Sequence, residues 1–567
     1  MSVALTDFTE EQWAFLAVLD AFRDPVTIEL VGNLAPLLPG PLIDLLEIAE
    51  NRGLIKKITH NQLAIGDQLP SPVRRKLDSI NCTEHLCLLI DKIRTGGLEK
   101  KMNPQSRLRL MYSAACVREA AELEIDMAQE AFDTNNYEKG RVFLLHALSQ
   151  LDDALNDPES KARFIAGVLQ LSNISFSLGK GFIEINKFLH KAHEVSFQLG
   201  DKRSHALINL HLGRLYYFTD RREDALVALS LGTEEIEELG DSDIILQSAP
   251  FLGLYFFLKG HLKQAFEYFE KAEQLFKSGD GFVFENSIIP MFFGYCAAYL
   301  GKFHRAIGHL DFTYRLALER SDKALASTIR AILGTVLVLL RKPQEAAIHY
   351  SRAREDARET HNALGLYLCG GAVTLSYFLE GHMKKAYEVL KQTVQEGFSA
   401  GLVRQFSSPW VLEMLHEFHR LGFDPIPNFE YPKIIESIFK GVNVHLQGVA
   451  LRLKVKGKER QDDNQNTILR DLEHSMKHLR ESGDPIQLSK TFLEMARLKL
   501  TMGNSEEARK LAQEARHCLG GYIDEFFPVE YQHLVDTCDG QIDRMVPKEE
   551  FMENYLEMIE SLYPSES

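Results

Sequence analysis

Cysteine is sparse in this chain: seven in 567 residues, at Cys82, Cys87, Cys116, Cys296, Cys369, Cys518 and Cys538, with no C-x-x-C pair among them. That spacing supports neither a secreted disulfide framework nor a zinc ribbon. The 37 glycines and 19 prolines make up under a tenth of the chain, which excludes a collagen-like, low-complexity or disordered protein. Basic residues are also in deficit, 64 Lys and Arg against 80 Asp and Glu, for a net charge of −16. A surface this acidic repels phosphates and disfavours nucleic acid and anionic membranes as partners. Long apolar runs are missing too. The uncharged stretches Ile244–Leu258 and Asn286–Gly301 reach about fifteen residues and each holds a proline, whereas a bilayer span takes about twenty predominantly apolar residues. The N-terminus, MSVALTDFTEEQ, has no basic region before its acidic residues and does not read as a signal peptide. The expectation is a soluble, reduced, cytoplasmic protein.

Catalytic signatures are equally scarce. No G-x-G-x-x-G or G-x-x-x-x-G-K-[ST] occurs, and the Gly-Lys pairs at Gly179, Gly301 and Gly457 lack the following hydroxyl that would bind Mg²⁺. Histidines pair at helical spacing at His190/His193, His416/His419 and His474/His478, but no third ligand completes a metal site. These are read as surface or groove-lining residues. No catalytic, cofactor or metal residue is expected, and the chain does not read as an enzyme.

What is abundant is repetition. A Gly-Asp-like pair recurs at Gly200-Asp201, Gly240-Asp241, Gly279-Asp280, Ser321-Asp322 and His361-Asn362. An alanine recurs in step at Ala225, Ala265, Ala306, Ala346 and Ala386, each 40 or 41 residues after the last. Twelve residues before these lie Gly213, Gly253, Gly294 and Gly334, with Thr374 in the fifth unit. Each unit reads as two helices joined by a short turn, and the small residues mark where helix backbones approach closely.

The order of small, large and small residues (Gly253, Phe256, Ala265, Phe269, Ala272) resembles the tetratricopeptide repeat (TPR). At about 40 residues the units are longer than the usual repeat and look like the sensor superhelix of maltose-regulon activators. The resemblance is strong over 161–402, weaker over Glu119–Asp157, and returns at Gln487–Leu519. Ahead of the repeats, helices at Glu10–Phe22, Thr27–Leu34 and Pro41–Arg52 and a hairpin at Leu54–Ile58 and Leu63–Ile65 resemble a winged helix. Its would-be recognition helix carries Asp44, Glu47 and Glu50 against one Arg52, the wrong charge for a DNA groove. A winged helix before long repeats is similar to bacterial signal-transduction NTPases with numerous domains. The nucleotide-binding module itself is missing, so an NTPase partner would act in trans.

The expected fold is all-α: a right-handed α-solenoid of about 40-residue TPR-like hairpins with a small winged-helix-like N-terminal domain. The expected divisions are 1–80, winged helix; 81–160, connecting helices and a first degenerate repeat; 161–402, superhelix; 403–466, degenerate repeats with a mobile loop at 454–466; and 467–567, last repeats and a cap. That cap is a helix over about 547–562 with a stripe of Phe551, Tyr555, Ile559 and Leu562, placed to cover the last repeat.

On the first helix of each repeat, the residues one, four and five after the small anchor face inward. Fourteen of these fifteen are uncharged and six are aromatic. Two readings stay open: burial against neighbouring helices of a tight superhelix, or a groove for an apolar segment. The groove would be anchored by Tyr217, Phe257, Tyr295, Tyr299 and Phe378, with Arg214 the lone charge. The functional expectation is a non-enzymatic scaffold that binds a protein or peptide segment, or a small apolar effector, in bacterial signalling or transcription regulation. The alternative is a DNA-binding regulator that uses the winged helix.

Overall fold

In a computed structural model of the chain, the structure describes residues 8–538 apart from 23–24, 29, 31–38, 68, 81–85, 88–89, 92, 94, 96–101, 135, 153–154, 179, 220, 279–287, 401–407 and 457–464. The chain divides into two compact units, Met1–Leu171 and Ser172–Ser567.

The first unit opens with a helix, Glu10–Phe22, whose Trp13, Phe15, Leu16, Leu19 and Phe22 enter a core shared with Leu45, Ala49, Leu63, Val73 and Leu77. Three antiparallel strands follow in the order β1-β3-β2: β1, Val26–Thr27; β2, Ile55–Thr59; β3, Gln62–Ile65. The helix expected at Thr27–Leu34 therefore begins as a strand. β-Branched Val26 and Thr27 pair with Leu63 and Gln62, and the Thr27 hydroxyl then accepts from the Leu30 N–H at 3.2 Å. The helix Pro39–Asn51 lies before the hairpin, with Asp44 and Glu47 exposed. Helices Val117–Asp133 and Tyr137–Asp152 form the first hairpin of the repeat type.

In the second unit the repeat resolves into helix pairs, such as Lys202–Phe218 with Arg222–Leu239 and Ser242–Lys259 with Leu262–Ser278. The recurring Gly-Asp pair has a specific job. Gly200 and Gly240 end one helix in the left-handed region at φ 65° and 61°. Asp201 and Asp241 then cap the next, accepting from Ser204 N at 3.1 Å and Asp243 N at 2.9 Å. The small anchors are close approaches. A Cβ on Gly213 would lie 2.5 Å from Leu229 Cγ, and one on Gly253 would lie 2.5 Å from Phe269 Cε1. The alanine anchors from Ala225 to Ala386 are fully buried. This unit is an α-solenoid of TPR-like hairpins.

The irregular stretch after the fifth of these repeats also folds as helices: Pro409–Arg420, Tyr431–Lys440 and Val444–Lys456, with Pro409 and Pro432 in first turns, where a missing N–H is harmless. Of the loop expected at 454–466, Lys454–Lys456 complete a helix and Gln465–Asn466 open the next. Residues 457–464 and the expected capping helix at 547–562 lie outside the described residues. Among the described residues, no helix is long and apolar enough to cross a membrane.

Successive turns of this superhelix touch. The Asn443 side chain donates to Leu258 O at 2.8 Å and accepts from Leu446 N, so one residue both caps its own helix and grips an earlier one. Gly301 lies against Pro485, and Arg341 sits over the Phe526 ring at 5.5 Å. Each of these pairs is separated by 184 or 185 residues, so the solenoid returns upon itself after about four and a half repeats.

Candidate functional site

Several of the residues expected to face inward on the first helices pack against one another. Tyr217 packs edge-on to Phe292 at 5.8 Å, Phe292 to Phe257 at 5.1 Å, and Phe257 stacks on Tyr299 at 6.3 Å. Tyr299 stacks in turn on Tyr295 at 6.3 Å. Tyr217, Phe257, Tyr295 and Tyr299 are all less than a tenth exposed. Burial pushes the Tyr295 and Tyr299 hydroxyls well above the usual phenol range. Phe378 is half-buried, with its ring 6.4 Å from Phe418. Four of the five aromatic anchors named from the sequence thus join in one buried layer, whereas Phe378 meets Phe418.

Arg214, 1 % exposed, is held between the rings of Phe176 at 4.1 Å and Phe251 at 5.1 Å. It donates to Ser172 Oγ at 3.0 Å and Asn173 Oδ1 at 2.8 Å. Burial, with the Arg214 charge beside it, holds His211 well below the ordinary imidazole range, so His211 is neutral here. The arrangement seats a cation by ring faces and neutral acceptors, which leaves the guanidinium desolvated and fixed.

The later repeats close over this layer. Tyr299 OH donates to Ser408 Oγ at 3.2 Å, and its ring lies 5.6 Å from His445. His445 Nε2 is 2.8 Å from Asp484 Oδ2, both side chains 2 % exposed. Asp484 also caps its helix through Ile486 N and Gln487 N. Beyond it lies a charged cluster in which Glu413 accepts from Arg452 at 2.6 Å and from Lys490 at 2.7 Å, and Arg452 also donates to Gln487 at 2.6 Å. Burial would raise the Glu413 carboxyl, but Lys490 and Arg452 hold it far below the usual range. Burial pulls Lys490 down to about 8 against the attraction of Glu413.

Phe292, Ser408, His445 and the Glu413 cluster escape a sequence reading. Phe292 sits two residues before its anchor Gly294 rather than after it. The others follow Leu402, where the glycine and alanine anchors thin out and the inward phase is lost. His416, expected at the surface or lining a groove, is 5 % exposed, its Nδ1 3.0 Å from Tyr431 OH. Burial lowers His416 to about 4, because a neutral ring is favoured among Arg452, Lys456 and Arg420. Among the described residues, no group of three His, Cys, Asp or Glu side chains is placed to hold a metal ion.

No protein-family profile and no curated protein matches the chain. Among solved structures it is similar to a Rap protein complexed with competence and sporulation factor, at 12% identity and a TM-score of 0.45, over 62% of this chain and 97% of that one. It is also similar to the apo form of the quorum sensor NprR from B. thuringiensis, at 14% identity and a TM-score of 0.38, over 63% and 99%. A third is a signal-transduction ATPase with numerous domains and a tetratricopeptide repeat sensor, from Pyrococcus horikoshii, at 14% identity and a TM-score of 0.31. Against that protein the match covers 94% of this chain and 65% of the other.

Proposed function

We propose that this chain is a non-catalytic scaffold that senses a protein or peptide segment in a signalling setting, and that its resting form is closed. The observation that carries the reading is the contrast between two kinds of interface. Neighbouring repeats interlock through buried side chains, as where Phe269 stacks on Phe292 at 6.3 Å and Phe266 meets Phe293 at 5.2 Å. Among the described residues, successive turns meet near helix ends, through the Asn443 amide, a His261–Glu481 approach of 3.9 Å, and the Tyr299–His445 and Phe303–Phe526 ring contacts at 5.6 and 5.8 Å. Separating the turns breaks these few polar and ring contacts, whereas separating neighbours opens the continuous core between repeats. Expansion along this seam would present Tyr217, Phe257, Tyr295, Tyr299 and Phe378 to an apolar segment, with Arg214 the charge that orients it.

The test starts from peptides or proteins that co-purify with the full chain. Hydrogen exchange with such a partner bound should change at Phe257 and Tyr295–Tyr299. Asn443→Ala, which weakens the seam without touching those residues, should tighten binding several-fold, because the competent form is then more populated. Equal affinity in both proteins, or a footprint confined to the outer helices, overturns the reading.

A further inference from the structure

In the first unit, two thiols from separate segments face one another. Cys87 Sγ lies 3.8 Å from Cys116 Sγ, and both sulfurs approach the same carbonyl, Ala114 O, at 3.4 and 3.8 Å. Their positions are set by the core. Leu86, beside Cys87, is buried with Ile90 and Ile93, while Cys116 is the residue before the Val117–Asp133 helix and follows buried Met111 and Ala114. Both thiols are only partly covered, so a small solute can reach them. Cys296 and Cys369 differ: both are buried, and burial pushes the Cys369 thiol up to about 12, as for inert structural cysteines.

We propose that Cys87 and Cys116 are a reversible modification site that forms a disulfide in response to a peroxide. The sulfurs need about 2 Å of closure to reach bonding distance, which side-chain torsion can supply. One thiolate attacks the peroxide, the O–O bond breaks, and the sulfur becomes a sulfenic acid as water leaves. The second thiolate attacks that sulfur and expels hydroxide, which leaves as water after protonation. Two thiols are oxidised to one disulfide, and one hydrogen peroxide is reduced to two waters. The bond ties the segment before the Pro104–Ser113 helix to the turn after it, closing a loop across 29 residues. The proposal rests on this unit alone and is independent of the function assigned to the repeats.

The experiment treats the full chain with hydrogen peroxide at about one equivalent, blocks remaining thiols and digests with trypsin. Cys82 and Cys87 share the tryptic fragment 77–92, so a second cleavage after Glu84 separates them. The expected product joins 85–92 to 110–118, is 2 Da lighter than the two thiol fragments, and is reversed by dithiothreitol. It should vanish in Cys87→Ser and in Cys116→Ser and persist in Cys82→Ser. A bond to Cys82, or sulfinic acids at both positions with no bond, overturns the proposal. Should either serine variant fold poorly, the wild type and Cys82→Ser decide it without them.

Discussion

Glu273 shows how one side chain joins two repeats. Its carboxylate accepts from Arg305 at 2.5 Å and lies 2.7 Å from His309 Nδ1, while His309 stacks on Phe293 at 4.1 Å. Burial would raise this carboxyl, but His309 and Arg305 together bring it to about 2. A carboxylate depressed in the folded state contributes stability that is complete above the unfolded value near 4.5 and fades as pH falls towards 2. Glu273→Gln should therefore cost about 1–2 kcal/mol at neutral pH, since buried His309 loses its carboxylate partner while Arg305, partly exposed, keeps Glu270. Urea melts of both proteins from pH 7 to 3 should show the gap narrowing on acidification. A pH-independent gap would mean that the carboxylate contributes through shape and not charge.

At the scale of the helix, the ends decide more than the interiors. Gly200 and Gly240 take the left-handed turn at no steric cost, but Ser321 and His361 fill the same place in later repeats at φ 57° and 53°. Both are exposed, and the caps that follow them, Asp322 and Asn362, are intact at 2.9 and 3.0 Å. Ser321→Gly and His361→Gly should each stabilise by about 0.5–1 kcal/mol, because relief of strain at φ > 0 outweighs the added freedom of the unfolded chain. Thermal melts check this, and a lower melting temperature would show that the native side chains make contacts worth more than the strain.

For the superhelix as a whole, the turn glycines divide into two groups that no repeat pattern distinguishes. Gly260 and Gly503 both end a first helix at φ 80°. A Cβ on Gly503 would meet nothing within 4 Å, whereas one on Gly260 would lie 2.5 Å from His445 N and 2.7 Å from Asn443 Oδ1. Gly503→Ala should cost only the backbone strain, about 1 kcal/mol. Gly260→Ala should cost more and also part the seam, because a backbone nitrogen cannot step aside. Limited proteolysis near Asn443 and the radius from small-angle scattering measure this, and identical behaviour of the two variants would show that the seam does not hold the turns together.

The helical hairpins, their length and their close approaches were legible in the residues themselves. Anchors such as Gly213, Ala225 and the Gly-Asp pair encode contacts between neighbours, and neighbours are close in sequence as well as in space. The close packing of Tyr217, Phe257, Tyr295 and Tyr299 comes from first-helix positions that the same anchors mark out. Whether the face they form was a groove or an interior was not legible. Its covering comes from Ser408, Asn443 and His445, more than a hundred residues away in most pairings, and follows from the small rotation between repeats summed over a full turn. No periodicity records that sum. Local spacing determined the repeat, and the accumulated pitch of the solenoid decided that its aromatic layer is closed.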